Sequence, residues 1–212
     1  MKRGILFDFD GVTVKSMEQH FAAWKKALAD KNKDLKEDQF FVLEGQGIKQ
    51  IAETIGKQFN LNKNDISEIQ ELKVKYYHET VKIEIYDYFF DLIQSLRKHQ
   101  LQIGVVTGGG KKRVEQVLKQ YFNGTFDCLV TIDDVEHGKP APDPFLKGAT
   151  LLGLKPEECI AVENAPLGVQ SAKNAGIEVI AVTTTLPSDY LKHADHVVIN
   201  FREVEKIILA KL

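Results

Sequence analysis

The sequence predicts an α/β protein: a doubly wound, mainly parallel sheet with a small α-helical domain inserted after its first strand. Three observations carry this. Short apolar runs recur as "ILFDF", "LQIGVVT", "FDCLVTI", "CIAVEN", "IEVIAVTT" and "HVVIN", most of them too continuous for a sheet with one wet face. Helical patterns separate the later runs, so strand and helix alternate as in βα units. From about residue 15 to 85 the alternation stops, and several helical stripes follow one another with no convincing strand. The 212 residues suffice to bury on the order of 70% of the surface that the unfolded chain exposes, so a substantial core is feasible.

Taken in order, the first strand runs through "GILFDFDG" and ends on two acids, Asp8 and Asp10, followed by Gly11. Met17, Phe21, Trp24 and Leu28 mark the first inserted helix. Ile48, Ile51, Ile55 and Phe59 mark another, and Ile66, Ile69, Leu72 and Tyr76 a third. "KNKDLKEDQ" and "NLNKNDIS" read as polar connectors between them. The expected division is 1–14 with 86–212 as the core and 15–85 as the inserted domain. Further on, Val114, Val117, Leu118 and Tyr121 share one helix face, as do Phe145, Ala149 and Leu152. That last helix carries its own punctuation: Asp143 as N-cap, Pro144 at the first helical position and Gly153 just past the end. No internal repeat or low-complexity tract is present.

Lys and Arg total 28 against 30 Asp and Glu, a net charge of -2, which offers no general attraction to nucleic acid or an anionic membrane. Any anion site must be local. Cys128 and Cys159 form no CxxC or Cys/His cluster and sit in apolar runs, which favours buried, reduced thiols. Asp8 interrupts the apolar amino terminus, and no run approaches the ~18 apolar residues of a membrane span. These features lead us to expect a cytoplasmic protein, a monomer, with neither nucleic acid nor membrane as partner.

Side chains two apart on a strand point the same way, so Asp8 and Asp10 face one ligand across Phe9. They stand at the carboxyl end of a strand, where ligands bind in doubly wound sheets. An isolated pair of this kind would be read as a solvated turn, but other strand ends add to it. "VVTGGG" places the Thr107 hydroxyl beside glycines that open a helix, where free N–H groups suit a phosphate. "HGKPAPDPF" holds Lys139 in a loop pinned by Pro140, Pro142 and Pro144. "AVENAPLG" ends a further run on Glu163 and Asn164, both oxygen ligands of the kind a hard cation accepts.

With "DFDGV", "VVTGG", "GKPAPDPF" and "VENAPLGVQSAKNAG" in this order, the chain resembles the haloacid dehalogenase superfamily over almost its whole length, most closely the β-phosphoglucomutase-like branch with a helical cap. The resemblance implies that Asp8 is a nucleophile forming an aspartyl phosphate and Asp10 a general acid/base. Thr107 with the amides of Gly108 and Gly109 would hold phosphoryl oxygens, and Lys139 would neutralise charge. It also implies Mg2+ held by Asp8, the carbonyl of Asp10, Glu163 and Asn164. Asp8, Glu163 and a phosphate dianion outweigh a divalent cation with Lys139 by one charge, which favours a protonated Asp10 as the starting state. An acid at position 10 argues against dehalogenase and transport-ATPase chemistry.

The implied activity is a magnesium-dependent phosphatase of a small phosphorylated metabolite, a sugar or polyol phosphate, with a β-phosphoglucomutase as the alternative. A receiver-like or phosphate-binding protein without turnover is the non-enzyme reading, disfavoured by the Asp-x-Asp arrangement and the helical insertion. Candidate substrate contacts in the cap are His20, Lys49 and Lys75, with His137 beside the lysine loop. The match departs from the family at Thr13 and Lys15, at "IYDYFFDL" where a glycine turn is common, at the glycines after Thr107, and at Asn164, which replaces an acid.

Overall fold

The computed structural model describes residues 1–212. Six strands form one sheet in the order β3-β2-β1-β4-β5-β6, and every pair is parallel. They are β1 Gly4–Phe7, β2 Gln102–Val106, β3 Cys128–Val130, β4 Cys159–Glu163, β5 Glu178–Val182 and β6 His196–Val198. Each of the six apolar runs in the sequence supplies one strand.

Both faces of the sheet are covered, which explains the unbroken apolar runs. Ile5 and Phe7 of β1, Ile160 and Val162 of β4 and Ile180 and Val182 of β5 join one cluster. Their partners there come from α5 (Phe89–Lys98), α6 (Lys111–Tyr121) and α9 (Phe201–Leu209). The alternate residues Leu6, Ala161, Val179 and Ala181 turn to the other face, against α7 (Asp143–Leu151) and α8 (Pro166–Asn174). Asp143 opens α7 as its first residue instead of capping it, a shift of one position; Pro144 follows, and Gly153 takes the left-handed conformation just beyond, φ +67°. Both cysteines are free; Cys159 is buried and Cys128 half-buried.

Between β1 and α5 lie α1 (Met17–Ala29), α2 (Glu37–Phe41), α3 (Ile48–Gln58) and α4 (Lys63–Thr80). Their apolar faces meet in a cluster of their own around Trp24, Leu28, Phe40, Ile55 and Ile69. Sequence reading misplaces two pieces here. The tail of "KNKDLKEDQ" begins α2, a helix too short to show a period, and most of "NLNKNDIS" is the first turns of α4, where Asn62 accepts the N–H of Asp65 at 3.0 Å as an N-cap. At "YDYFFDL", Tyr88 takes the left-handed conformation that a glycine would otherwise supply, φ +67°. No helix is long and apolar enough to cross a membrane.

The chain winds from β1 outward through β2 and β3, then returns to β4 on the other side of β1. The order therefore reverses beside β1, and the carboxyl ends of β1, β2 and β4 open on one crevice. Gly104 lies in the middle of β2, where an added Cβ would come within 2.4 Å of Cys128 Sγ and 2.9 Å of Leu6 Cδ2. Gly104→Ala is expected to destabilise the protein by about 1–3 kcal/mol through overpacking, measured by urea unfolding.

Candidate active site

Asp8 directly follows β1, and its N–H donates to Val162 O at 2.9 Å, which places its side chain beside the end of β4. The Thr13 hydroxyl is fully buried and donates to the Asp8 carbonyl at 2.7 Å, so the unusual threonine secures the turn after the strand. Gly11 lies at φ +86°, and a Cβ there would come 2.1 Å from Asn164 Nδ2; both facts demand glycine. The Lys139 ammonium, 1% exposed, donates to Asp8 Oδ1 and Glu163 Oε1 at 2.6 Å each and to the Val106 carbonyl at 3.0 Å. One cation thus joins the ends of three adjacent strands.

Thr107 follows β2, and its hydroxyl accepts the Gly109 N–H at 2.9 Å. The expected pair of free glycine amides is thereby reduced: Gly109 is turned onto Thr107. Gly108 is covered by the loop before α3, since a Cβ on it would lie 2.3 Å from Gly45 O. That loop also brings in Glu44, 3% exposed, whose Oε2 accepts from Asn164 Nδ2 at 2.7 Å and Thr185 Oγ1 at 3.2 Å.

Asp8 and Glu163 share one buried cation, Lys139, while Glu44, nearby, is bonded only to Asn164 and Thr185. Burial pushes Asp8 up to about 7, opposed by Lys139 and reinforced by Glu163. Glu44 is raised well above the usual carboxylate range by burial and then by Asp8. Burial alone would lower Lys139, but Asp8 and Glu163 outweigh it and raise it. Three buried side-chain oxygens lack any partner, and all belong to this crevice: Glu44 Oε1, Gln46 Oε1 and Asn164 Oδ1. No group of three His, Cys, Asp or Glu side chains is gathered as a metal cage. Hard oxygen donors with an uncompensated negative charge and orphaned acceptors nevertheless fit a divalent cation such as Mg2+.

Asp10 has the opposite surroundings. It accepts Ser16 Oγ at 2.6 Å and His20 Nε2 at 3.2 Å on Oδ1. Arg113 spans both oxygens, Nη1 to Oδ1 at 2.9 Å and Nη2 to Oδ2 at 2.5 Å. Burial works against the charge, but Arg113 and then His20 outweigh it and hold the Asp10 carboxyl well below its ordinary value. The expectation of a protonated Asp10 is therefore corrected: its charge count lacked Arg113. His20 is itself buried, and burial followed by Lys73 lowers it to about 3, so the ring is neutral. Lys73 Nζ lies 2.9 Å from His20 Nδ1, which directs the ring N–H at Nε2 toward Asp10. Lys73 is lowered to about 7 by burial and then by Arg113.

A cavity of about 600 Å³ lies between the crevice and the inserted helices; Asp8, Asp10, His20, Glu44, Lys73, Tyr77, Thr107, Gly108, Gly109 and Arg113 are among its walls. Of the sequence candidates, Asp8, Asp10, Thr107, Lys139, Glu163, Asn164 and His20 come together. Lys49 and Lys75 do not: both are exposed and neither lines the cavity. Residues two apart on a helix point to nearly opposite sides, so where Lys73 faces inward Lys75 faces out. His137 is also exposed, 3.1 Å from Asp143.

Sequence reasoning missed Ser16, Glu44, Lys73 and Arg113. Two of them left a signal: Lys73 falls four residues from both Ile69 and Tyr77 on the buried stripe of α4. Arg113 ends a run of three cations in the first turn of α6, where the helix dipole disfavours them.

A family model for haloacid dehalogenase-like hydrolases matches residues 5–182. The pyrophosphatase PpaX of Bacillus cereus (strain AH820) is 32% identical over 192 residues, 86% of this chain and 83% of that protein. A candidate β-phosphoglucomutase of Bacteroides vulgatus superposes with a TM-score of 0.87 at 29% identity, covering 97% of this chain and 86% of the other. The β-phosphoglucomutase of Clostridium difficile, at 23% identity, shares the fold with a TM-score of 0.83 over 97% and 96% of the two chains.

Asn164→Asp would set a second carboxylate against Glu44 where an amide N–H now donates at 2.7 Å. In chelator this variant is expected to be less stable by about 1–3 kcal/mol, and added magnesium should narrow the deficit; thermal unfolding with and without the metal measures both.

Proposed function

This chain belongs to the haloacid dehalogenase-like hydrolase family, and on that premise we propose that it is a magnesium-dependent phosphatase of small phosphorylated metabolites working through an aspartyl phosphate on Asp8. The observation that carries this reading is the pairing of Asp8 with Lys139 at 2.6 Å beside Thr107, at the bottom of a cavity of about 600 Å³. A carboxylate so held has one oxygen tied to a cation and the other available for in-line attack on phosphorus.

In the first half-reaction Asp8 forms the new P–O bond as the bond to the leaving oxygen breaks; a sugar or polyol oxygen takes its proton from water in the cavity as it departs, whereas phosphate departs without one. Lys139 carries part of the charge that develops on nucleophile and phosphoryl oxygens, and Thr107 with the Gly108 N–H orients those oxygens. In the second, water attacks the aspartyl phosphate and gives its proton to Asp10, whose carboxylate Ser16, His20 and Arg113 hold in place. The residues that would hold Mg2+ are Asp8, the Asp10 carbonyl, Glu163, Asn164 and Glu44. Bound there, the cation offsets the charge of carboxylates and phosphoryl group. The inserted helices, residues 15–85, act as a cap that keeps bulk water from the acyl phosphate.

Sugar and polyol phosphates fit a cavity of this size. A second reading, hydrolysis of inorganic pyrophosphate, is favoured by the donors converging on Asp10, which leave it no proton to give, because phosphate departs without one. The PpaX relative points the same way.

The test is phosphate release from sugar phosphates, polyol phosphates and pyrophosphate with magnesium, and isomerisation of β-glucose 1-phosphate primed with a bisphosphate. Hydrolysis of at least one compound is expected; isomerisation without net phosphate release would replace the phosphatase with a mutase. Asp8→Asn is expected to lower turnover by on the order of a thousandfold or more while the protein stays folded. Chelation should abolish turnover and magnesium restore it.

A further inference from the structure

The phosphatase reading leaves one half-buried group of the cavity unexplained beyond its grip on Asp10. Arg113 comes from α6 in the sheet-bearing part of the chain, and its side chain is 18% exposed. The guanidinium has five N–H donors. Two are spent on Asp10, and a third reaches Tyr77 Oη at 3.5 Å. Donors therefore remain for a ligand without giving up the carboxylate.

Space has been kept for this group. A Cβ on Gly109 would fall 2.5 Å from Arg113 Nη2 and 3.3 Å from Thr107 Oγ1. The glycine after next to Thr107 thus lets the guanidinium settle beside the group that orients the phosphoryl oxygens. Phe9 and Tyr77 support its planar faces at 5.5 and 5.7 Å from the ring centroids.

The charges of the cavity are segregated. Its floor gathers Asp8 and Glu163 around Lys139, with Glu44 close by on Asn164, while its upper wall sets Arg113 and Lys73 against the single carboxylate of Asp10. The only hydrogen-bond partner of Lys73 is the neutral His20 ring. The floor calls for a cation and the wall for an anion. On the phosphatase reading Asp10 serves the leaving oxygen and the water that replaces it, and an anion bound by the guanidinium that holds Asp10 then lies on the leaving side of the substrate.

We propose that Arg113 is a specificity-determining residue that recognises an oxyanion, phosphate or carboxylate, on the leaving half of the substrate. The substrate class is then a phosphoryl compound with a second anionic group close to the scissile bond, in preference to a neutral sugar or polyol phosphate. This rests on the phosphatase reading of Asp8.

The experiment compares kcat and KM for pyrophosphate, phosphoglycolate and glycerol 3-phosphate in the wild type, Arg113→Lys and Gly109→Ala. The first two substrates carry a phosphate or carboxylate on the leaving side; the third does not. We expect the wild type to prefer one or both anionic compounds over glycerol 3-phosphate by at least tenfold in kcat/KM, and Arg113→Lys to erase that preference mainly through KM. Gly109→Ala, which displaces the guanidinium without removing it, should shrink the preference in the same direction.

Whichever anionic compound is preferred identifies the oxyanion. Equal losses on all three substrates, or a wild type that prefers glycerol 3-phosphate, would overturn the proposal. Calorimetric binding of methylenediphosphonate against methylphosphonate, with magnesium, gives a readout free of turnover. The added affinity of the diphosphonate should vanish in Arg113→Lys. If it does while none of the substrates is hydrolysed, the anion site stands and the phosphatase reading falls.

Discussion

The ammonium of Lys139 is the contact on which the rest of this structure depends. It reaches Asp8 after β1, the carbonyl of Val106 in β2 and Glu163 at the end of β4, so a single side chain ties together the three central strands of the sheet. Two carboxylates, 5% and 0% exposed, would carry a heavy desolvation cost without it. The strand order permits the arrangement, because the reversal beside β1 brings those three ends to one crevice. A buried ammonium with acids on two sides also explains why the loop around it must be well fixed: an error of an ångström would leave one carboxylate unpaired.

Above this floor the electrostatics invert. Asp10 is surrounded by donors, whereas the floor has more acceptors than donors, and only Phe9 separates Asp8 from Asp10. A strand end projects both side chains into the cavity, but Arg113 from α6 and His20 from α1 meet only the second. Two acids alike in sequence therefore receive opposite environments, one strained toward its neutral form and one held ionised. The overall charge of -2 conceals this, because the separation of sign occurs inside one cavity and cancels in the sum.

Much of the fold was legible because a parallel sheet buried on both faces writes its strands as apolar runs, and all six were found that way. The floor of the candidate site was legible for a related reason: Asp8, Thr107 and Glu163 are polar residues that end such runs, and polarity there has no packing explanation. The misses share a different cause. Ser16 looks like a helix cap, Glu44 like a loop acid, and Lys73 and Arg113 like the solvated positions that cations usually take on helices. Their partners lie far away in sequence: Glu44 meets Asn164 across 120 residues and Arg113 meets Asp10 across 103. No local pattern records such a meeting. Lys49 and Lys75 were favoured by their type, and helical geometry, not chemistry, turns them outward.

The seat of Gly45 on Gly108 and the bond from Asn164 to Glu44 join the inserted helices to the sheet at the rim of the cavity, in addition to the two connecting segments, which meet where Lys15 N–H donates to Glu84 O. Parting of this rim would strip a buried carboxylate and a buried amide of each other. Their pairing is compatible with any ligand small enough to leave Gly45 in its place on Gly108. On the phosphatase reading such a rim would act as a gauge of bulk, since a molecule that held it ajar would keep Glu44 and Asn164 apart and leave the site wet.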